Sequence, residues 1–268
     1  MKQRPFGPIL VLYRKHFALF VGIVAIPHLV LLAFQLIGVT VVPKALAAAP
    51  AMILVWSLAT AVLYLGVVAT AQGATVMAVS KVHLGNETSV SESLSLIKGR
   101  ILYLSLIMIG VGIGIGVGVV LLIIPGIILA LMWALAIPVA VLEDMGLRDS
   151  VARSAELTKG GRGRVFVIYF LFVVLTYIVY VLWEIPIFIA IGFFARGHNP
   201  AAALPVWTQI AFPVGNFFTQ CLVSPLLTIA LSLFYYDQRV RKEAFDLQLM
   251  ISTLDATPGG TPTPATIG

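Results

Sequence analysis

The chain has 268 residues, 60% of them hydrophobic and only 10% charged, with a mean hydropathy of +1.05. A soluble domain of this length carries about a quarter charged residues to face water, so the composition excludes a soluble globular protein. The net charge of +6 takes its meaning from where each cation falls relative to a membrane, and the single cysteine, Cys221, excludes an internal disulfide.

Residues 1–16 place apolar and aromatic side chains beside Arg14 and Lys15, in "PFGPILVLYRKHF", which follows Arg4, and predict an interfacial segment. The apolar run at about 17–42 is much longer than a signal-sequence core, so it predicts a retained span although "ALAAAP" at 45–50 imitates a cleavage site. A second span is predicted at about 51–79. The next run starts after Arg100 and meets no charge until Glu143. As one helix it would be about 63 Å long, twice the apolar core of a bilayer.

Pro125-Gly126 interrupts that run. Proline removes an amide donor and glycine accepts a positive φ, so the pair predicts a reversal between spans at about 101–124 and 127–142. A surface hairpin and a shallow re-entrant turn both satisfy the sequence. Further spans are predicted at about 165–194 and 206–236, closing a membrane domain of 1–250. The Pro, Gly and Thr content of 251–268 predicts a disordered tail. The expected fold class is an all-α membrane protein with six transmembrane helices, an internal repeat and short amphipathic cytoplasmic helices.

Charge placement supports the count independently, because cytoplasmic loops retain Lys and Arg. With six spans and both termini inside, Lys2, Arg4, Arg14, Lys15, Lys81, Lys98, Arg100, Arg148, Arg153, Lys159, Arg162, Arg164, Arg239, Arg241 and Lys242 share the inner side. Lys44 and Arg196 fall outside. Without the reversal, the basic 143–164 loop would lie opposite the 80–100 loop. The expectation is a bacterial inner-membrane protein whose basic face attracts anionic lipid headgroups, with no nucleic-acid partner.

The two inner loops repeat one another: "GNETSVSESLSLIKG" from Gly85 and "GLRDSVARSAELTKG" from Gly146. Gly85, Ser89, Val90, Ser93, Leu96, Lys98 and Gly99 match Gly146, Ser150, Val151, Ser154, Leu157, Lys159 and Gly160 without a gap. Each copy predicts a short helix. Ser89 with Glu92 forms a capping box, Asp149 or Ser150 caps the second copy, and a glycine closes each. The pair reads as elbows between spans or as surface helices that bind lipid or a partner protein.

Ionisable groups at depth are few. His28 follows Pro27 in the first span, where a neutral imidazole bonded to a backbone carbonyl is the simpler reading than a proton relay, and Glu184 sits beside Trp183 near the outer interface. Gln35, Gln72, Asn216 and Gln220 suit interhelical hydrogen bonds. His16, His28, His83 and His198 lack metal-ligand spacing, no G-x-S-x-G is present, and no cofactor site is expected. "GVGIGIGVG", 110–118, is a small-residue stripe for close helix packing rather than a nucleotide loop.

The segment "LLIIPGIILALMWALAIPVAVLEDMGLRDSVARSAELTKG", followed by "LFYYDQRVRKEAFDLQLM", resembles the membrane-domain family of glycerophosphoryl diester phosphodiesterase. The likeness is most specific at Pro125-Gly126, at Arg153-Ser154 and Glu156-Leu157, and from Tyr235 through Asp237, Arg239 and Arg241 to Asp246. It implies a bacterial multi-pass membrane protein connected with phospholipid or glycerophosphodiester metabolism. Some members fuse this domain to a soluble phosphodiesterase barrel. Too few residues follow Tyr236 for such a barrel, so the expectation is a non-enzymatic module that organises lipid or a partner, with a transporter or lipid-translocating protein as the alternative.

Overall fold

The structure, a computed structural model, describes residues 7–48, 51–196 and 206–256, and among them it contains helices and no strand. The helices are α1 (Gly7–Lys15), α2 (Phe17–Ala48), α3 (Ala51–His83), α4 (Val90–Ile97), α5 (Ile101–Leu121), α6 (Ile123–Met132), α7 (Ala136–Leu142), α8 (Leu147–Thr158), α9 (Arg162–Arg196) and α10 (Val206–Ala256). A single 3-10 turn, Lys98–Arg100, joins α4 to α5.

Six helical stretches are long and apolar enough to cross a membrane: Phe17–Val41, Ala51–His83, Val90–Leu121, Ile123–Leu142, Arg162–Phe194 and Val206–Ala244. Most of them run past a sequence-predicted end, because helical hydrogen bonding continues into polar flanks such as 80–83, 162–164 and 237–244. The most distant case is α10. It stays helical to Ala256, through 251–256 of the predicted tail, whereas 257–268 and the N-terminal residues 1–6, with Lys2 and Arg4, lie outside the described residues.

The core occupies one half of the bundle. Phe20 and Ile23 of α2, Val76 and Val79 of α3, Leu104 of α5, Leu135, Leu157 of α8 and Tyr235 of α10 are fully buried. The opposite half turns Leu54, Leu58 and Val62 of α3 and Phe170, Tyr177 and Leu182 of α9 outward. That arrangement is stable only where hydrocarbon replaces water as the solvent.

The reversal lies three residues before the predicted pair. Leu122, at φ −160° and ψ 135°, is the extended residue between α5 and α6, while Pro125 and Gly126 belong to the first turns of α6. Pro125 occupies a position whose N–H would have no intrahelical acceptor, so its missing donor costs nothing. Gly126 does not adopt a positive φ. It is buried against Val119, whose backbone nitrogen and Cα would stand 2.6 and 2.8 Å from an added Cβ. Its role is close approach of the two arms, with Gly118 facing it. The tip, Leu121 to Ile124, is apolar and exposed.

The returning arm is broken at 133–135, just before Pro138, which has no N–H for the Ala134 carbonyl and whose ring would clash with it in a continuous helix. A break inside an apolar bundle strands backbone polar groups, and these must be satisfied by side chains. Ser154 of α8 does so twice: its hydroxyl donates to the Met132 carbonyl at 2.8 Å and accepts the Leu135 N–H at 3.0 Å. Thr158 also reaches the Met132 carbonyl, at 3.2 Å. Both side chains are fully buried.

The two repeat copies fold differently. In the first, Ser89 caps α4 by accepting the Glu92 N–H at 3.2 Å, as predicted. In the second, the helix starts earlier than its counterpart, with Gly146 at the N-cap; Asp149 lies in the first turn and the Ser150 hydroxyl donates to the Met145 carbonyl at 2.9 Å. Gly160, at φ +82°, closes α8 in the left-handed region, and the chain turns before α9. Gly99 has no positive φ and sits in the 3-10 turn that passes α4 into α5, so no glycine closes the first copy. Gly85, at φ +81°, instead ends α3.

Candidate functional site

Tyr235, Arg239 and Glu243 recur every four residues on α10 and therefore share one face of the helix. Glu143, just past α7, and Arg153 of α8 meet that face. The Tyr235 hydroxyl donates to Glu143 Oε1 at 2.8 Å, and Arg239 Nη1 donates to the Tyr235 oxygen at 3.2 Å. Arg153 reaches three carboxylates, Glu143 at 3.3 Å, Glu156 at 3.3 Å and Glu243 at 3.1 Å. Arg239 holds Glu243 through both oxygens, at 2.9 and 3.1 Å. The Lys242 ammonium donates to the Glu156 carbonyl.

A second group lies beside the first. Arg164, near the start of α9, pairs with Asp237 at 2.8 Å and places its guanidinium 5.3 Å from the centre of the Phe234 ring; Arg241 pairs with the same Asp237 at 2.8 Å. Elsewhere at this end Lys81 pairs with Glu92, Arg100 with Asp144, and the Tyr236 hydroxyl donates to Ser80 at 2.8 Å. The segments 80–100, 143–164 and 235–243 thus converge at one end of the bundle.

The chemistry of the cluster is that of a lock. Burial works against the charge on Arg153, but Glu143, Glu156 and Glu243 outweigh it and raise its pKa above the usual arginine value. With three of its five N–H donors and its charge committed to carboxylates, this guanidinium is a poor anchor for a further anion. The exposed cations at the same end are different: among the described residues Arg14, Lys15, Lys98, Arg148 and Lys159 have no ion-pair partner. Among the described residues no group of three or more His, Cys, Asp or Glu is disposed to hold a metal ion.

Of the residues singled out from sequence, Arg153, Glu156, Asp237, Arg239 and Arg241 are brought together here. Ser154 points the other way from α8, into the broken arm. Ser89, Lys98 and Gly99 belong to the α4 elbow, Lys159 and Gly160 to the turn after α8, and Pro125 and Gly126 to the distant hairpin. His28 is buried within α2, bonded through Nδ1 to the Val24 carbonyl at 2.9 Å, with Nε2 unpartnered. Glu184 lies on α9 next to Trp183, whose indole donates to Thr219 at 3.0 Å. Asn216 accepts from Tyr180 at 2.7 Å, an interhelical bond of the predicted kind.

Sequence reasoning noted Tyr235 and Arg164 but gave neither them, nor Glu143 or Glu243, a place in this cluster. The spacing of Tyr235, Arg239 and Glu243 was a readable signal; the approach of Glu143 across 92 residues was not. A cavity of about 200 Å³ lies behind the broken arm, lined by Gln72, Met108, Trp133, Tyr169 and Thr228 among others.

The family described as the membrane domain of glycerophosphoryl diester phosphodiesterase matches residues 111–254. That range takes in most of the hairpin, the broken arm, α8, α9 and the locking face of α10. No curated protein and no solved structure matches the chain.

Proposed function

Because the chain belongs to the membrane-domain family of glycerophosphoryl diester phosphodiesterase, we propose that it is a non-enzymatic membrane module that organises anionic lipid headgroups at its charged end. One observation carries the reading. The ion-pair lock consumes Glu143, Glu156, Asp237 and Glu243, and leaves Arg14, Lys15, Lys98, Arg148 and Lys159 exposed beside it. A rigid platform with unpaired cations suits phosphate-bearing lipid, at about 1 kcal/mol per cation near an anionic surface.

In this proposal the charged end faces the cytoplasm of a bacterial inner membrane, following the excess of cations there. The test is the phosphatidylglycerol retained on purified protein, read by native mass spectrometry, against phosphatidylcholine. Replacing Lys98, Arg148 and Lys159 by Gln is expected to abolish the preference; an unchanged preference would overturn the reading. Cleavage of a glycerophosphodiester by the purified chain would overturn its non-enzymatic part.

The cavity behind the broken arm favours a second reading, a carrier for a neutral solute or lipid. Passage of labelled neutral compounds into reconstituted vesicles, lost in Gln72→Leu, would support it. No passage above protein-free vesicles would count against it.

A further inference from the structure

At the end of the bundle opposite the ion pairs, the Trp56 indole of α3 lies flat across α2. It stacks on Phe34 at 4.3 Å with the planes 5° apart and covers Gly38, where an added Cβ would come within 2.8 Å of the ring. The indole forms one wall of an open groove of about 590 Å³. Gln35 of α2, Ser57, Thr60 and Tyr64 of α3 and Gln209 of α10 line it.

This lining is unusual for its setting. Ser57, Thr60 and Tyr64 form a polar stripe on a helix whose neighbouring positions, Leu54, Leu58 and Val62, are exposed apolar residues. The Thr60 hydroxyl donates to the Trp56 carbonyl at 2.8 Å, but among the described residues Gln35, Ser57, Tyr64 and Gln209 have no hydrogen-bond partner. Unpaired amide and hydroxyl groups at the edge of the hydrocarbon favour a polar occupant over acyl chains. Among the described residues no Lys, Arg, Asp or Glu lines it. The lining offers hydroxyl and amide partners without charge, which suits an uncharged polar group better than a phosphate.

Depth narrows the occupant further. Trp56 and Ser57 stand about 8 Å along α3 from Ala51, and Gln209 about 5 Å along α10 from Val206, at a rise of 1.5 Å per residue. With the helix ends at headgroup level, one to two helical turns below them is the level of a leaflet's glycerol esters. We propose that the groove binds the glycerol region of an uncharged glycerolipid of the diacylglycerol class, its free hydroxyl and ester carbonyls pairing with Gln35, Ser57 and Gln209 and its acyl chains leaving along Leu58 and Val62. This site is independent of the anionic headgroups assigned to the other end.

The test reads Trp56 directly. In phosphatidylcholine vesicles, diacylglycerol with brominated acyl chains is expected to quench the protein's tryptophan emission saturably, and excess unlabelled dioleoylglycerol to reverse it. Trp56→Phe should lose the saturable component. The Gln35→Leu/Gln209→Leu pair should raise half-saturation by about tenfold or more, the loss expected when hydrogen-bonding partners of a bound hydroxyl are removed. Ser57→Val, a change at an exposed position, provides the same test if the pair does not fold, with a rise of about threefold. Absence of a saturable component, reversal by dioleoylphosphatidylglycerol as effective as by dioleoylglycerol, or unchanged half-saturation in a folded variant would overturn the proposal.

Discussion

Replacing Ser154 with alanine isolates the device that holds the broken arm. The side chain is fully buried, and its hydroxyl supplies the partner of the Leu135 N–H and one of two partners of the Met132 carbonyl. After substitution Met132 keeps Thr158, but Leu135 is left with a buried, unpaired donor, which costs about 2 kcal/mol. Alanine is the better helix former, by about 0.5 kcal/mol, which offsets part of this. The net expectation is a loss of about 1.5 kcal/mol, roughly a factor of 10 in the unfolding equilibrium.

The repeat supplies the control. Ser93, the equivalent residue, donates to the Ser89 carbonyl at 2.9 Å, but that carbonyl already accepts the Ser93 N–H at 3.0 Å. Ser93→Ala strands no backbone group, and its cost should fall within about 0.5 kcal/mol of zero after the helix-propensity gain. Reversible unfolding in mixed detergent micelles measures both. Equal effects at the two positions, or a neutral Ser154→Ala, would refute the claim that α8 is stitched to the break.

Gly126→Ala should destabilise by about 1–3 kcal/mol, since its Cβ meets backbone atoms of Val119 that cannot rotate away. Gly116→Ala, which faces open space, should be neutral or slightly stabilising in the same unfolding assay. Pro125→Ala should change stability by less than about 1 kcal/mol, because the proline sits where no N–H acceptor exists. Gly160→Ala should cost about 1–2 kcal/mol for its left-handed φ, whereas Gly99→Ala should be tolerated. A double-mutant cycle of Arg153→Met with Glu143→Gln should give a coupling of about 1 kcal/mol, modest because the pair is partly solvated.

How much of this was legible in the sequence follows from what each feature needs. Six spans were readable because length and apolarity alone set them. The reversal was placed in the right region but assigned to the wrong atoms: Pro125-Gly126 looks like a turn, yet Leu122 turns the chain and Gly126 provides room for Val119. A kink before Pro138 was legible, since that proline cannot bond the Ala134 carbonyl, but the stitching of Met132 and Leu135 by Ser154, a partner some twenty residues away, was not. Matching sequences also predicted matching elbows. The local caps differ because Gly146 starts α8 a turn earlier than the equivalent of Val90, and only Gly160 takes the left-handed conformation. The lock was half legible, since Tyr235, Arg239 and Glu243 share a face by spacing, while their union with Glu143 and Arg153 exists only in three dimensions.

Ser91 and Ala152, equivalent exposed positions of the two repeat copies, offer the most direct test that the chain doubles back between α5 and α6. Cysteine is introduced at each in a Cys221→Ser background and exposed to an impermeant thiol reagent in sealed vesicles of known orientation. Modification of both from the same side is the predicted result. Modification from opposite sides would contradict it.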